Sequence, residues 1–510
     1  MQSIRIIAGL MTGAALLSSG SALALAPSVA PDIEIFASGA SAQDTNVEKL
    51  FGELCVGGTL DTYYDNVNSA KPGANHRALF CTLDTKLVTG LDSSNPKVLF
   101  HKRSAGGSAY GVNNVMNNQA IEAMAVTASN CKQDPAEAKK DAAGNPVWRC
   151  DATTGTSNIL SKASDVGVSD VNPTLFRGLN TPTGGTDVNI TDVPKKLVVQ
   201  SGGALVFGVP VTKSLRDALQ RAQIDQGRLG AACEGDDTEA CMPSLSRYQI
   251  ASLATGSIGK WSKLYVAANG TTKKLTDYAK ASEISGDDKV YICRRVRGSG
   301  TQTQFNAKFL NYPCAGSAGG TPVEAPNPLA GPMVVMNSGA GDVDVCLDDF
   351  NNGTNNGKNN TTSAKVWAIG LQSTEKNATL SYGYRFIKVD GVAPTLENAA
   401  TGRYLDFAEV TWQWLQPGVA GAPTGDKLKI IQKIAKDAGK PSILAGIDAG
   451  LKHPFGYGGY LAVSAAGNTV PAGYTFSVAN PISTYTHAPG KAALDNCRTP
   501  VVDPGKDSPL

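Results

Sequence analysis

Histidine is scarce in this sequence: four in 510 residues, at His76, His101, His453 and His487, too scattered to suggest a cluster. Cys-x-x-Cys pairs are absent. With imidazoles so few and paired thiolates lacking, no metal centre is expected, and nothing calls for a cofactor. The glycine-rich turns are not followed by Gly-Lys-Ser/Thr, which excludes a nucleotide-phosphate loop of that kind. No Gly-x-Ser-x-Gly string marks a nucleophile elbow. Strong net charge is also missing. The 46 Lys and Arg against 44 Asp and Glu leave +2, so no global basic field exists to attract nucleic acid. After the N-terminal segment, no apolar run is long enough to span a bilayer.

That N-terminal segment, "MQSIRIIAGLMTGAALLSSGSALALA", reads as a cleavable secretory signal over residues 1–24. Arg5 gives it a positive start, an apolar stretch follows, and Ala22-Leu23-Ala24 offers a small-x-small cleavage site. No cysteine stands at its end to take a lipid. The mature protein is therefore expected to be soluble, and periplasmic or secreted. Ten cysteines, an even count in an exported chain, predict disulfides. Cys55 and Cys81, Cys131 and Cys150, and Cys233 and Cys241 each bracket a Gly/Asn/Asp-rich stretch, while the partners of Cys293, Cys314, Cys346 and Cys497 stay open. A composition of 42% hydrophobic and 18% charged residues is globular, with length for about two to four domain-sized units.

One pattern recurs along the chain: a short apolar strand, a Gly/Ser turn, then a helix-like stretch. It occurs in "DIEIFASGASAQDTNVEKLFGEL", "KVLFHKRSAGGSAYGVNNVMNN", "SDVGVSDVNPTLF" and "KVYICRRVRGSGTQTQFNAKFL". Alternating strands and helices predict an α/β chain with largely parallel sheets. Ligands of such sheets bind beyond the carboxyl ends of the strands, where Ser41, Ser104, Asp170 and Ser299 fall. "NNGTNNGKNNTTS", residues 351–363, reads as a low-complexity loop too polar to pack. The ending "PVVDPGKDSPL" is expected to be loose.

"CRRVRGSGTQTQF", residues 293–305, orders a strand, three arginines, a small-residue turn and a helix start. The first N–H groups of a helix have no partner within it, and its dipole favours negative charge in front of them. The hydroxyls of Ser299 and Thr301 add donors, and the Arg295 guanidinium offers paired contacts to an oxyanion. This is a local anion-holding arrangement.

Taken in order, "ASGASAQ", "RSAGGS", "DVGVSD", "ATGSIGKWSKL", "CRRVRGSGTQTQFNAKFL" and "GYRFIKVDGVAPTLENAATGRYLDFAE" resemble the phosphate-binding proteins of ABC importers, the PstS-like family. "GSGTQTQFNAKFLNYPC" is also similar to the phosphate-binding DING proteins of the same broad group. The resemblance runs from about residue 33 to 409 and leaves the last hundred residues or so unplaced. It implies a periplasmic-binding-protein fold of type II, with two α/β lobes, a hinge and the ligand between them. Lobe 1 would combine 27–202 with 374–510, and lobe 2 would be 203–373. By position it implies phosphate ligands at Ala40, Ser41 and Ala42, at Ser104, at Asp170, and at Arg295, Ser299, Gly300 and Thr301. It further implies a monomer that delivers inorganic phosphate to an inner-membrane ABC permease.

In that setting Asp170 would accept the proton of hydrogen phosphate, which sulfate cannot offer. Arg297 departs from the pattern, since relatives carry an acidic residue there to orient the binding arginine. Arg295 then has another orienting partner, or the loop turns Arg297 outward, or Arg297 adds positive charge and shifts preference toward a more fully ionised anion or a larger phosphoester. Ser41 in place of threonine and Ala42 in place of an aromatic residue suggest a roomier entrance. No base is evident for a serine nucleophile apart from His101, so binding without catalysis is expected. A binding module uncoupled from transport, DING-like, and a phosphoesterase on the same fold are the alternatives.

Overall fold

The computed structural model describes residues 25–66, 73–133, 144–315, 319–324 and 331–508. The expected signal, residues 1–24, lies outside them. The chain is mixed α/β and builds two main sheets, with four two-stranded sheets beside them among the described residues. In the first, Ile33–Gly39 lies between Lys97–Arg103 and Val166–Ser169, parallel to both. Val166–Ser169 then pairs antiparallel with Phe407–Leu415. In the second, Tyr291–Arg295 lies parallel to Met333–Asn337 on one side and Ala368–Gly370 on the other. The inner strands are buried along most of their length, Ile33–Gly39 from Ile35 onward and Tyr291–Arg295 from Ile292 onward. The helix Gly425–Asp437 turns Ile430, Ile431 and Ile434 into the first core.

Both sheets share the sixteen-residue strand Leu197–Thr212. Its first part pairs antiparallel with Phe407–Leu415, and its last residues pair antiparallel with Ala368–Gly370 and Tyr384–Val389. The sheets are therefore mixed rather than largely parallel. A strand that carries the chain from one lobe to the other is met by return segments running the opposite way. Residues 372–373 pair with Phe207 and Gly208 at the crossing. The expected division at 374 groups Tyr384–Val389 with the first lobe, whereas its hydrogen bonds lie in the second sheet and Phe407–Leu415 is back in the first.

Five disulfides are formed. Cys55–Cys81, Cys131–Cys150 and Cys233–Cys241 close the three bracketed stretches. The pairs left open are Cys293–Cys346 and Cys314–Cys497. Two segments expected to be loose are organised instead. The Asn/Gly loop winds around buried Asp349, whose carboxylate accepts from Thr354 Oγ1 (2.6 Å), Asn356 N (2.9 Å) and Gly357 N (2.7 Å). A polar loop packs when one buried acceptor gathers its donors. Near the C-terminus Val501–Val502 pairs with Tyr485–Thr486.

Candidate functional site

The first-lobe part of the site forms where Ile33–Gly39 ends. Gly39 has φ +126°, and a Cβ there would stand 1.9 Å from the Val168 carbonyl oxygen, so only glycine fits. The next residue, Ala40, donates its N–H to that same oxygen at 2.9 Å, which removes it as an anion donor. A short turn, Ser41–Gln43, leads into the helix Asp44–Gly52. Ser41 Oγ is buried with no partner. Ala42 is buried and its carbonyl accepts from Tyr460 Oη at 2.6 Å.

Ser104 is buried but already engaged. Its hydroxyl donates to Asp44 Oδ1 at 2.7 Å and accepts from Lys102 Nζ at 3.1 Å. A hydroxyl has one proton, so in this arrangement Ser104 holds Asp44 rather than donating to a ligand. Lys102 Nζ also donates to the carbonyls of Gly39 (3.1 Å), Ala40 (3.2 Å) and Arg103 (3.4 Å) and lies 3.3 Å from Asp44 Oδ1. Burial pulls the Lys102 pKa down and Asp44 opposes the shift. Ringed by five oxygens that need donors, the amine acts as an ammonium clamp beneath the turn, not as a base. Arg77, on the strand His76–Thr82, pairs with Asp44 (3.1 Å) and Glu48 (2.5 Å) from the far side. Lys102, Asp44 and Arg77 were missed in the sequence. The available signal was a lysine two residues before a binding-turn serine, inside an otherwise buried strand.

In the second lobe the three arginines divide their work. Arg297 pairs with Glu324 (Nε to Oε2 2.7 Å), and Arg294 donates through Nη1 to the Val323 carbonyl at 2.5 Å. Arg297 is thus turned outward and adds no charge to the cleft. Arg295 is 1% exposed; its Nη2 donates to the Ser338 carbonyl at 2.8 Å, and its Nε has no partner. The Ser338 carbonyl thereby orients the Arg295 guanidinium. Ser299 caps the helix Gly300–Leu310, its Oγ accepting from Gln302 N at 3.4 Å. Thr301 Oγ1 is buried without a partner and borders a small separate cavity beside Phe207 and Tyr404.

The two parts meet at Asp170. A Cβ on Gly300 would come within 2.8 Å of Asp170 Cβ and 2.2 Å of Ser108 Oγ, so the helix start abuts the carboxyl directly. Asp170 is 2% exposed and accepts from Gln43 Nε2 at 3.1 Å and from Ser108 Oγ at 3.5 Å. Burial raises its pKa, and Gln43, Arg295 and Lys102 oppose the shift. Burial lowers the Arg295 pKa, with Asp170 the first group resisting. Main-chain bonds close the lobes around this point: Ala109 N to Gly298 O at 2.9 Å, and Gly298 N to Asn180 O at 3.0 Å. Beside it a cleft of about 200 Å³ is lined from the first lobe by Ser41, Asp44 and Ser104 and from the second by Ser338 and Asp342.

The structure therefore brings Asp170, Gly300 and Arg295 together, sets Ser41 and Ser104 on the adjoining cleft, and places Thr301 at the border of another cavity. His101 stacks on Phe36 with ring centroids 4.5 Å apart and lies 3.5 Å from Glu34, while the Ser104 hydroxyl bonds to Asp44 and Lys102 instead. No His/Cys/Asp/Glu group that could hold a metal occurs among the described residues, and no helix among them is long and apolar enough to cross a membrane.

No family model and no curated protein matches the chain. Solved structures do. A putative phosphate ABC transporter substrate-binding protein from Clostridium perfringens aligns at 14% identity and TM-score 0.39, over 81% of this chain and 97% of its own. A DING protein aligns at 13% identity and TM-score 0.38, over 83% and 90%. An ABC-type phosphate transport receptor from Vibrio cholerae aligns at 11% identity and TM-score 0.35, over 79% and 93%. At such identities and TM-scores the likeness carries no argument about what this chain does.

Proposed function

We propose that this chain is a solute-binding protein that encloses a phosphate-like oxyanion between its lobes. The observation that carries this reading is the meeting of Asp170 with the start of the helix Gly300–Leu310 beside Arg295, whose Nε is buried and unpartnered. Helix-start N–H groups and a guanidinium together favour a multivalent oxyanion. A buried carboxyl among them selects the oxyanion that brings a proton. Hydrogen phosphate shares one with Asp170, whereas sulfate would face an unpaired oxygen. The ammonium of Lys102 and the committed hydroxyl of Ser104 fit a rigid binding floor better than a nucleophile, so the site binds without turnover.

Five disulfides suit an oxidising compartment, consistent with export to the periplasm or beyond. Delivery of phosphate to an inner-membrane ABC permease is the role the sequence resemblance attaches to a closed form of this kind. Titration calorimetry at neutral pH tests the reading. Wild-type protein is expected to bind phosphate and ignore sulfate, and Asp170→Asn to bind both. Absence of phosphate binding would refute the proposal, and unchanged sulfate exclusion in the variant would refute the role of Asp170.

A further inference from the structure

The C-terminal segment Thr486–Arg498 lies between the lobes and grips each of them. On the first lobe, Glu409 of the strand Phe407–Leu415 accepts from Thr486 Oγ1 (3.0 Å), His487 N (2.7 Å), His487 Nδ1 (2.6 Å) and Asn496 Nδ2 (3.0 Å). Asn172, two residues beyond Asp170, donates its N–H to Asn496 Oδ1 at 2.6 Å and its amide nitrogen to the Leu494 carbonyl. On the second lobe, Lys308 Nζ donates to His487 Nε2 at 2.6 Å and to the Arg498 carbonyl at 3.4 Å. His487 donates through Nδ1, so its Nε2 is the acceptor for Lys308. The bond Cys314–Cys497 then ties the segment covalently to the chain just beyond the helix Gly300–Leu310.

The segment thus holds both partners of the cleft contact, Asp170 through Asn172 and Gly300 through the far end of its helix. Parting the lobes requires Gly300 to leave Asp170, which moves the helix relative to Asn172 while the segment is fixed to both. We propose that Cys314–Cys497 is a redox latch: oxidised, it holds the cleft shut, and its reduction lets the lobes part. A dithiol reductant supplies the two electrons and two protons that turn the disulfide into two thiols, and becomes a disulfide itself. This device is independent of which ligand the cleft takes.

Hydrogen exchange in the ligand-free full-length protein reads it at two amides that bond across the lobes, Ala109 and Gly298. The double variant Cys314→Ser/Cys497→Ser is compared with wild type and with Cys233→Ser/Cys241→Ser, which loses a bridge within one lobe across a separation of eight residues. Exchange at both amides is expected to rise at least tenfold in the first variant and to match wild type in the second. Equal exchange in all three proteins, or the same rise in both variants, overturns the latch. If the first variant does not fold, wild-type protein reduced with dithiothreitol is measured instead. No rise at these amides, with Cys314 and Cys497 shown to be alkylatable, overturns it equally.

Discussion

Two buried charge clusters in this molecule look alike by composition and differ in how completely they are partnered. At the C-terminal clasp, four donors surround the Glu409 carboxylate, and His487 passes the contact on to Lys308. At the cleft, Arg295 Nε and Ser41 Oγ are buried and have nothing to bond. An unpartnered buried polar group is costly, on the order of 1–3 kcal/mol. A native structure keeps such groups where something else will meet them. The satisfied cluster maintains shape, and the unsatisfied one is where our proposal seats the oxyanion.

Three changes press on that contrast. The largest effect is expected from Glu409→Gln, which leaves His487 and Lys308 without their carboxylate. With the neutral His487 ring between them, the Glu409 carboxylate and the Lys308 ammonium are the buried charge pair, and removing one partner of such a pair costs about 3–5 kcal/mol, measurable by urea unfolding. The Glu409 pKa is lowered from 4.5 to about 2; burial acts against this, and His487 with its hydrogen bonds outweighs it. A depressed carboxylate stabilises above its unfolded pKa and loses that share as pH falls through the folded one. The deficit of the variant should therefore be full at pH 6 and shrink between pH 4.5 and about 2.

Arg295→Ala should do the reverse. Phosphate affinity falls by about 100-fold or more, roughly 3 kcal/mol at 1.4 kcal/mol per tenfold, while the unfolding midpoint moves little because a desolvated, half-paired cation is removed. A marked loss of stability with affinity retained would erase the distinction between the clusters. The smallest effect is expected from Arg297→Ala. Its half-exposed pair with Glu324 lies outside the cleft, so stability should change by less than about 1 kcal/mol and phosphate affinity by less than about twofold in the same titration.

The strand–turn–helix units and the two-lobed α/β plan were legible because apolar runs, Gly/Ser turns and helix starts are local signals. So was the helix start at Gly300, with Ser299 as its cap. The use of the arginines was not. Which of Arg294, Arg295 and Arg297 is held near Asp170 depends on Glu324, Val323 and Ser338, brought in from a later segment. The expected donors at Ala40 and Ser104 fail for the same reason. Their protons are claimed by Val168 and Asp44, partners that strand pairing supplies and spacing does not reveal. The clasp was invisible because Glu409, His487 and Cys497 have no periodic or motif relation to one another.

The strand Leu197–Thr212 has one more consequence. Because a single continuous strand belongs to both sheets, neither lobe holds its full set of strand pairings without the other. The lobes are halves of one cooperative unit, and melting should carry them through together. A gene fragment encoding either half would inherit an unpaired sheet edge in place of a finished domain.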